Sequence, residues 1–565
     1  MNTILSCATI SVRRPLLAFI LCSLLLPFSL AGSKSSNGKD DAVLSAMRAE
    51  LERSKSHLKM ENVDAPYYVE YRIFDADEYS AEAAFGALRS DVRTRVRFVR
   101  VVVRIGDYKQ DSYFGQGEGT IDLMPVDDDL FALRHQLWLA TDRAYKSAAE
   151  SLTAKQAQLK QFTIDQPVDD FAHADPVQSV GPLAELQFDP APWKKMLQDA
   201  SAVYKSDPQL ETSESSLRFE AVNEYFANSE GTVVRSGRTL YDMGLSYTTQ
   251  ASDGMSLARS KDYAVESMTE LPTAEEFVAH ATKLIGTLKE LRDAPVVDEE
   301  YRGPVLFSAD AAANVFGDLV GDNVLGRRPE LGKNVRTTGA FATSYKTRVL
   351  PAFLSVVSDP TISSYQGHSL LGHYQIDDEG VRAQRVDVID KGVLVNYLLG
   401  REPIRDFPVS NGHARVALDA RSAGAKSAMA APVPHNSNLI VTSSQPTPKD
   451  DLKKKLIELC QQRDLPYCYY VETFGPKLTP RLLYKVSAKD GSEELVRGGS
   501  FGELDTRALR TDLVAAGDDV YADNRPTNIP HSIVAPSILF DELEVKRANL
   551  NKEKLPEYPA PAVGN

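Results

Sequence analysis

The order of helical and strand-like segments constrains the fold of this chain more than any other feature. In the first half, helical patterns stand between long strand-like runs, whereas short strands and loops dominate after a helix predicted at 309–325. No regular strand–helix–strand series is present, which disfavours a doubly wound parallel sheet. The sequence therefore predicts an α+β fold, with an N-terminal α+β domain at 32–295 and a β-rich, barrel-like or antiparallel C-terminal domain at 296–548. A polar, proline-containing tail follows at 549–565.

Local patterns place several elements of these domains. Residues 93–106 alternate arginine with valine or phenylalanine, which is typical of a strand with one solvated face. The turn residues Asn228–Gly231 predict a hairpin between two strands. Thr447 is the predicted N-cap of a helix that ends near Cys460. Further helices are predicted at 41–60, 128–161, 190–205, 273–292 and 503–516.

The N-terminus carries the pattern of a secretory signal. Arg13 and Arg14 precede an apolar run, and the small-x-small triplet Ser29–Ala31 follows it before a polar segment. This order predicts a signal peptide at 1–31, although the apolar run approaches the length of an uncleaved membrane anchor. Cleavage would leave an exported protein in the periplasm or cell envelope without a stable membrane span.

Net charge excludes one class of partner. The 565-residue chain has a formal net charge of −14, whereas a protein that binds nucleic acid through its phosphates needs a basic surface. We therefore expect no nucleic-acid partner.

Two cysteines remain after the predicted cleavage. Cys460 is expected at the end of a helix and Cys468 in the strand that follows. In an oxidising compartment the two side chains would pair through a turn, but the sequence is equally compatible with two free thiols.

Metal and nucleophile motifs are sparse. His368 and His373 are five residues apart, a spacing that places them on opposite faces of a strand, and no Cys-x-x-Cys pair predicts structural zinc. Ser500 lies in a G-x-S-x-G pattern, with His531 downstream, but the parallel sheet that such a nucleophile needs is not predicted. A glycine turn into a helix is the simpler interpretation of Ser500.

An acidic triplet precedes Gly380. Asp377, Asp378 and Glu379 could together bind a cation, but three acids before a glycine are also typical of a solvated hairpin tip. The residues alone leave both interpretations open.

Several ordered blocks resemble one family. The pattern that runs from "LSVVSDP" through "DDEGVRAQRVDVIDKGVLVNYLLGRE" to "SNGHAR" is similar to the TldD/TldE (PmbA) family, whose members are often labelled modulators of DNA gyrase. The N-terminal part resembles an exported branch of that family. Further blocks in family order lie at 224–239, 303–322, 433–441 and 534–545.

The resemblance implies a metallopeptidase family whose catalytic subunits carry H-E-x-x-x-H and a distal cysteine that bind zinc. Aligned on the helix at 309–325, Gly317 and Asp318 stand where the first histidine and the glutamate would be, and Asp322 where the second histidine would be. The loop at 517–532, where the distal cysteine would fall, contains no cysteine. Asp318 and Asp322 could share a helix face and offer oxygen ligands, which suit a hard cation more than a hydrolytic zinc.

We therefore expect a non-catalytic, TldE-like subunit with no cofactor of its own. Its partner would be an H-E-x-x-x-H paralogue that holds zinc, and its ligand a peptide or unfolded segment in an internal cavity. Two alternatives are an active metallopeptidase with unrecognised ligands and a stand-alone envelope protein that binds peptides or acts as a scaffold. Candidate cavity residues are Phe316, Asp318, Asp322, Asn323, Asp377, Asp378 and Glu379.

Overall fold

The computed structural model describes residues 41–162, 167–419 and 429–549. The predicted signal peptide and all but the first residue of the predicted tail lie outside these ranges. The α-helices within them are α1 (Ala42–His57), α2 (Leu130–Leu159), α3 (Pro190–Ser201), α4 (Ala274–Asp293), α5 (Ala309–Leu319), α6 (Lys449–Gln462) and α7 (Thr506–Thr511).

The strands form three large sheets and two small hairpins. Those before α5 are β1 (Tyr68–Ala84), β2 (Ala87–Arg104), β3 (Thr120–Met124), β4 (Gln178–Val180), β5 (Leu210–Asn228), β6 (Val233–Gln250), β7 (Ser256–Val265) and β8 (Tyr301–Phe307). Those between α5 and α6 are β9 (Leu354–Ser358), β10 (Ser364–Tyr365), β11 (His368–Ser369), β12 (Val386–Asp390), β13 (Val393–Leu394), β14 (Ala414–Arg415), β15 (Val433–Pro434), β16 (Asn438–Ser443) and β17 (Pro446–Thr447). The remaining strands are β18 (Tyr467–Gly475), β19 (Thr479–Ser487), β20 (Glu493–Val496), β21 (Gly499–Phe501), β22 (Leu513–Gly517), β23 (Tyr521–Arg525), β24 (His531–Ala535) and β25 (Ile538–Arg547).

The first sheet is built from long hairpins. Its order is β3-β2-β1-β5-β6-β4, and β7 also pairs with β6. The predicted hairpin joins β5 to β6. The Asn228 side-chain oxygen closes its turn by accepting hydrogen bonds from the Glu230 and Thr232 amides. Gly231 has a φ of 104°, a conformation that favours glycine. Helices α1 and α2 pack on one part of this sheet and α3 and α4 on another, each pair over its own apolar core.

Strand β2 differs from its prediction. Its first half is exposed, but its second half is buried on both faces. Arg97, Arg100 and Arg104 are therefore buried, and the single solvated face predicted from the alternation is wrong. Carboxylates pair with two of these buried guanidinium groups: Arg97 lies 2.5 Å from Asp75 and Arg104 lies 2.8 Å from Asp111.

The part after α4 is rich in strands, as predicted. A six-stranded sheet has the order β13-β12-β9-β16-β24-β23, and an eight-stranded sheet contains β17-β22-β25-β8-β18-β19-β20, with β21 paired to β25. Helix α5 packs against β18, β23 and β24 in the apolar core of this part. The expected α+β fold with a β-rich second part is confirmed.

Three predicted helix boundaries are wrong. Helix α5 ends at Leu319, and a short 3-10 turn at Gly321–Asn323 follows it. Pro448, not Thr447, caps α6, because Thr447 pairs with β22 as part of β17. Helix α7 covers only six residues of the predicted 503–516 segment, since the chain then enters β22 beside β25.

Cys460 on α6 and Cys468 on β18 form a disulfide, with a Cα–Cα distance of 6.0 Å. This resolves the alternatives that the sequence left open. No helix among the residues that the structure describes has the length and hydropathy to span a membrane.

Candidate functional site

Helix α5 is held in place at its N-terminus. The Ser308 hydroxyl accepts a hydrogen bond from the Ala311 amide and donates one to the Glu472 carbonyl at 2.6 Å. Asp310 in the first turn accepts a hydrogen bond from the Thr473 hydroxyl at 2.7 Å. Both contacts tie the helix to β18, so that its last turn is set beside β23.

Gly317 and Arg525 are in direct contact at that last turn. A Cβ atom added to Gly317 would lie 2.7 Å from both terminal nitrogens of the Arg525 guanidinium, closer than van der Waals contact allows. Arg525 is the last residue of β23, and its Nε donates to an Asp523 oxygen at 2.6 Å. The position aligned with the first zinc-binding histidine is therefore covered by a cationic side chain.

Asp318 lies on the rim of this contact. One carboxylate oxygen is 3.6 Å from Arg525 Nη1, and 43% of the side chain is exposed. Burial raises the pKa of Asp318, Arg525 opposes that change, and the negative charge of Asp322 adds to it.

Asp322 and Asn323 lie beyond the end of the helix, in the 3-10 turn. Asp322 lies outside α5, so it does not share a face of that helix with Asp318 as the sequence suggested. The Asn323 side chain donates to the Leu319 carbonyl and accepts from the Ala340 amide at 2.6 Å. Asn323 therefore anchors the following loop to the end of α5.

Phe316 is fully buried in the core of the second part. Its side chain packs in this core, and its place among the candidate cavity residues stays a prediction.

The residues at this helix do not fit a catalytic zinc. Gly317 supplies no donor atom, and Arg525 brings a fixed positive charge to its side. Asp322 has left the helical register that the family motif uses. Within the described ranges, no cluster of three His, Cys, Asp or Glu side chains has the arrangement of a metal site.

The acidic triplet is buried, so the solvated hairpin tip is ruled out. Asp377 accepts hydrogen bonds from the amides of Glu379, Val381 and Ala414. Glu379 accepts a hydrogen bond from the Arg401 amide. Burial raises the pKa of Asp377 to about 7 and that of Glu379 to about 8.

Of the triplet, Asp378 lines a cavity formed by described residues. It pairs with Arg415 at 3.1 Å and accepts from the Val416 amide at 2.6 Å. The cavity has a volume of about 710 Å³ and lies between the first sheet and the second part of the chain. Other ionisable residues that line it are Glu224, Arg235, Arg238, Glu266, His373, Tyr374 and Arg415.

Two glutamates in this cavity have perturbed acidity. Burial and the charge of Asp378 raise the pKa of Glu224 to about 7, and burial raises that of Glu266 to about 7. Glu266 lies 2.8 Å from Nε2 of His373, whose pKa is lowered by burial. The sequence did not mark either glutamate as a site residue, although Glu224 begins the family-like block at 224–239. Glu224 lies on β5 and Glu266 directly after β7, and both reach the cavity only through the packing of the two parts.

The remaining sequence candidates are separated in space. His373 contacts Glu266, whereas His368 is exposed in the hairpin of β10 and β11. Ser500 donates to the Lys546 carbonyl at 3.4 Å. His531 belongs to β24 in the six-stranded sheet, whereas Ser500 belongs to β21 in the eight-stranded sheet. The His531 ring is buried against His435, and its Nδ1 lies 2.9 Å from the Ile529 carbonyl oxygen. These contacts give Ser500 and His531 structural surroundings and do not join them as a nucleophile and its base.

Comparison with known proteins agrees with this architecture. Residues 300–547 match the model of the PmbA/TldA metallopeptidase C-terminal domain. The chain is 29% identical over 193 residues to Metalloprotease PmbA of Escherichia coli O157:H7, a stretch that covers 34% of this chain and 39% of that protein. The chain thus matches less than half the length of this curated relative.

Solved structures share the fold over most of the chain. TldE from Thermococcus kodakarensis superposes with a TM-score of 0.58 at 13% identity, covering 89% of this chain and all of that one. A protein described as a modulator of DNA gyrase from Thermotoga maritima gives a TM-score of 0.59 at 14% identity, covering 88% of this chain and all of that one. The matched C-terminal domain, the curated relative and the shared fold all relate this chain to the TldD/PmbA family.

Proposed function

We propose that this chain is an exported, zinc-free, TldE-like subunit that binds peptides or unfolded segments beside a zinc-bearing paralogue. The observation that carries the proposal is the contact between Gly317 and Arg525. The Arg525 guanidinium lies against Gly317, at the position that aligns with a zinc-binding histidine of a catalytic subunit. A positive charge there would repel a Zn²⁺ ion bound beside it, and in a half-buried site this repulsion is stronger than in water. Asp318 and Asp523 contact Arg525 and hold its guanidinium beside Gly317.

An exposed sheet edge supports the peptide-binding part of the proposal. Among the described strands β23 pairs only with β24, although β7 lies close to it at Asn524, whose side chain donates to the Ala264 carbonyl; an extended peptide would pair with the part of the other edge that β7 does not reach. Tyr521 at the start of β23 is 40% exposed, and α5 packs beside the strand. An extended peptide on this edge would run past the rim formed by Asp318 and Arg525.

Export is supported by two features. The leader pattern at 1–31 is that of a signal peptide, and the disulfide between Cys460 and Cys468 suits an oxidising compartment. Pairing with an H-E-x-x-x-H paralogue is proposed from family resemblance, since the residues of this chain do not supply the zinc site.

Metal analysis of the purified mature chain tests the zinc-free assignment. We expect substoichiometric zinc and no peptide hydrolysis by the chain alone, and both zinc and activity in a complex with the co-expressed paralogue. Stoichiometric zinc in the lone chain, lost together with activity on chelation, would show instead that this chain is an active metallopeptidase. Failure of the two chains to co-purify would favour a stand-alone envelope protein.

Photo-crosslinking tests the edge-strand site. A benzophenone side chain in place of Tyr521 should capture an extended peptide, because it stands beside the available edge of β23. The same group in place of Phe131, an exposed residue on α2, is the matched control. Equal capture at both positions would rule out β23 as the docking strand.

A further inference from the structure

A second pocket lies where the N-terminal part and the C-terminal part of the chain meet. Its volume is about 340 Å³. One wall comes from the N-terminal part, with Lys109 after β2 and Lys155 on α2. The other comes from the loop at 328–336 and from Arg405 in the C-terminal part. Clefts between two structural units are frequent ligand sites.

The lining of this pocket is strongly basic. It contains two carboxylates, Asp170 and Glu330, against six cationic side chains: Lys109, Lys155, Arg328, Lys333, Arg336 and Arg405. The chain as a whole has a net charge of −14, so the pocket has the opposite sign to the rest of the molecule. A concave surface of one charge concentrates ligands of the other charge.

Four of the six cations are paired. Asp170 is buried and binds Lys155 Nζ at 2.6 Å and Arg328 Nη1 at 2.9 Å. Arg336 pairs with Asp406 at 2.6 Å, and the exposed Lys333 pairs with Glu330 at 2.8 Å. These contacts fix the walls of the pocket and leave part of its positive charge uncompensated.

Arg405 and Lys109 lack carboxylate partners among the described residues. Arg405 Nη1 donates only to the neutral side-chain oxygen of Asn334, at 3.0 Å. The ammonium group of Lys109 is exposed, and no described acidic side chain lies within ion-pair distance of it. The pocket therefore has one guanidinium and one ammonium available to a ligand.

Apolar side chains complete the lining. Leu159, Val168, Leu331 and Ile404 reduce contact with bulk water, which strengthens the attraction between the cations and an anion in the pocket. They also offer contact to a carbon skeleton, so the lining suits an organic anion better than a bare inorganic one.

We propose that this pocket binds a small organic anion that carries at least two negative charges, through carboxylate or phosphate groups. Arg405 and Lys109 would contact the charged groups directly, because the guanidinium fork and the ammonium group both pair with oxyanions. The site is independent of the peptide-binding edge at β23, and neither proposal requires the other.

Calorimetric titration of the purified mature chain tests the site with citrate, phosphoglycerate and acetate as probes at matched ionic strength. We expect citrate or phosphoglycerate to bind at least about tenfold more tightly than acetate, because acetate carries one negative charge and uses only part of the pocket's excess positive charge. The comparison between citrate and phosphoglycerate shows whether carboxylate or phosphate is the preferred group. Binding of both no tighter than that of acetate would overturn the proposal.

A pair of charge-matched variants assigns the site. Lys109→Gln/Arg405→Gln should weaken binding of the tighter probe at least about tenfold, because it removes both charge-assisted contacts. Lys489→Gln/Arg510→Gln removes the same charge from exposed positions outside the pocket and should leave binding within about twofold, since exposed charges at a distance are screened by salt. Equal weakening by both variants would mean a non-specific charge effect and would overturn the proposal. Far-UV circular dichroism checks that both variants are folded.

Discussion

Gly317 shows how an expectation from the sequence and a contact in the structure can concern the same residue. The family resemblance aligns it with a histidine, and the structure shows the Arg525 guanidinium packed against it. Arg525 comes from a strand far along the chain and occupies the space of any Cβ at position 317. No local pattern around either residue could have predicted this pairing, because it depends on how β23 docks beside α5.

Gly317→Ala should fail to gain the helix-propensity stabilisation of about 0.5–1 kcal/mol, because the new methyl group displaces the Arg525 guanidinium, the end of a flexible side chain that can move at small cost. Urea unfolding measures the change. Gly286→Ala on α4 is the matched control, since a Cβ at Gly286 meets no atom within 4 Å. We expect the control to be stabilised by about 0.5–1 kcal/mol from helix propensity alone. Equal effects of the two substitutions would contradict the close contact at Gly317.

Glu379 provides a pH test of the buried triplet. Burial raises the pKa of Glu379 to about 8 in the folded state, above its ordinary value near 4.5. The stabilisation from its protonated form is therefore complete below about pH 4.5 and is lost as the pH rises towards 8.

Glu379→Gln removes this titration and should gain stability relative to the wild type as the pH rises from 5 to 8. Urea unfolding of both proteins at the two pH values measures the difference. The exposed Glu494→Gln is the surface control. A constant difference between Glu379→Gln and the wild type across this range would contradict the buried, proton-holding carboxyl.

At the scale of elements, strongly patterned segments were predictable and short ones were not. The Asn228–Gly231 turn and helices α1 to α4 could be read from the sequence, because turn chemistry and helical periodicity are local properties. Thr447 and the end of α7 could not, since pairing between β17, β22 and β25 overrides the local helical signal. Tertiary pairing decides whether such short segments become helix or strand.

The disulfide joins two elements that sequence patterns did identify. It connects the last turn of α6 to the start of β18 across a separation of eight residues. The double variant Cys460→Ser/Cys468→Ser should lose about 2–3 kcal/mol of stability, because the unfolded chain is no longer restricted by the closed loop. In the presence of a reducing agent, the free energy of unfolding of the wild type should fall towards that of the variant. A wild type that does not respond to the reducing agent would indicate that the thiols are unpaired in solution.

At the scale of the whole molecule, the large cavity and the basic pocket lie where the two parts meet, which sequence patterns could not show. The acidic triplet is typical of an exposed turn in the sequence, but its acceptors bind the amides at 401, 414 and 416 and Arg415. Similarly, Glu224 and Glu266 belong to the first part and become cavity residues only against the second. Family resemblance located the helix that aligns with the family's zinc motif, whereas the polar interface required the three-dimensional packing.

Arg401 connects the two parts across that interface. Its guanidinium forms a bidentate pair with Glu230 at 2.7 and 2.8 Å, donates to the Ala172 carbonyl, and lies 3.9 Å from the centre of the Phe171 ring. The side chain is fully buried, so removing it leaves the Glu230 carboxylate without its charge partner and the Ala172 carbonyl without its side-chain donor.

Arg401→Ala should therefore destabilise the molecule by about 3–5 kcal/mol, and its calorimetric unfolding should separate into two transitions as the two parts lose their coupling. Arg302→Ala is the control, because Arg302 pairs with Glu542 and Glu503 in an exposed position and should cost at most about 1 kcal/mol. A single unshifted transition in Arg401→Ala would mean that the apolar contacts of Leu371 with Leu240 and Ala264 couple the parts without it. Separate transitions would instead show that this arginine keeps the cavity and the basic pocket, which both lie at the interface, in their observed shape.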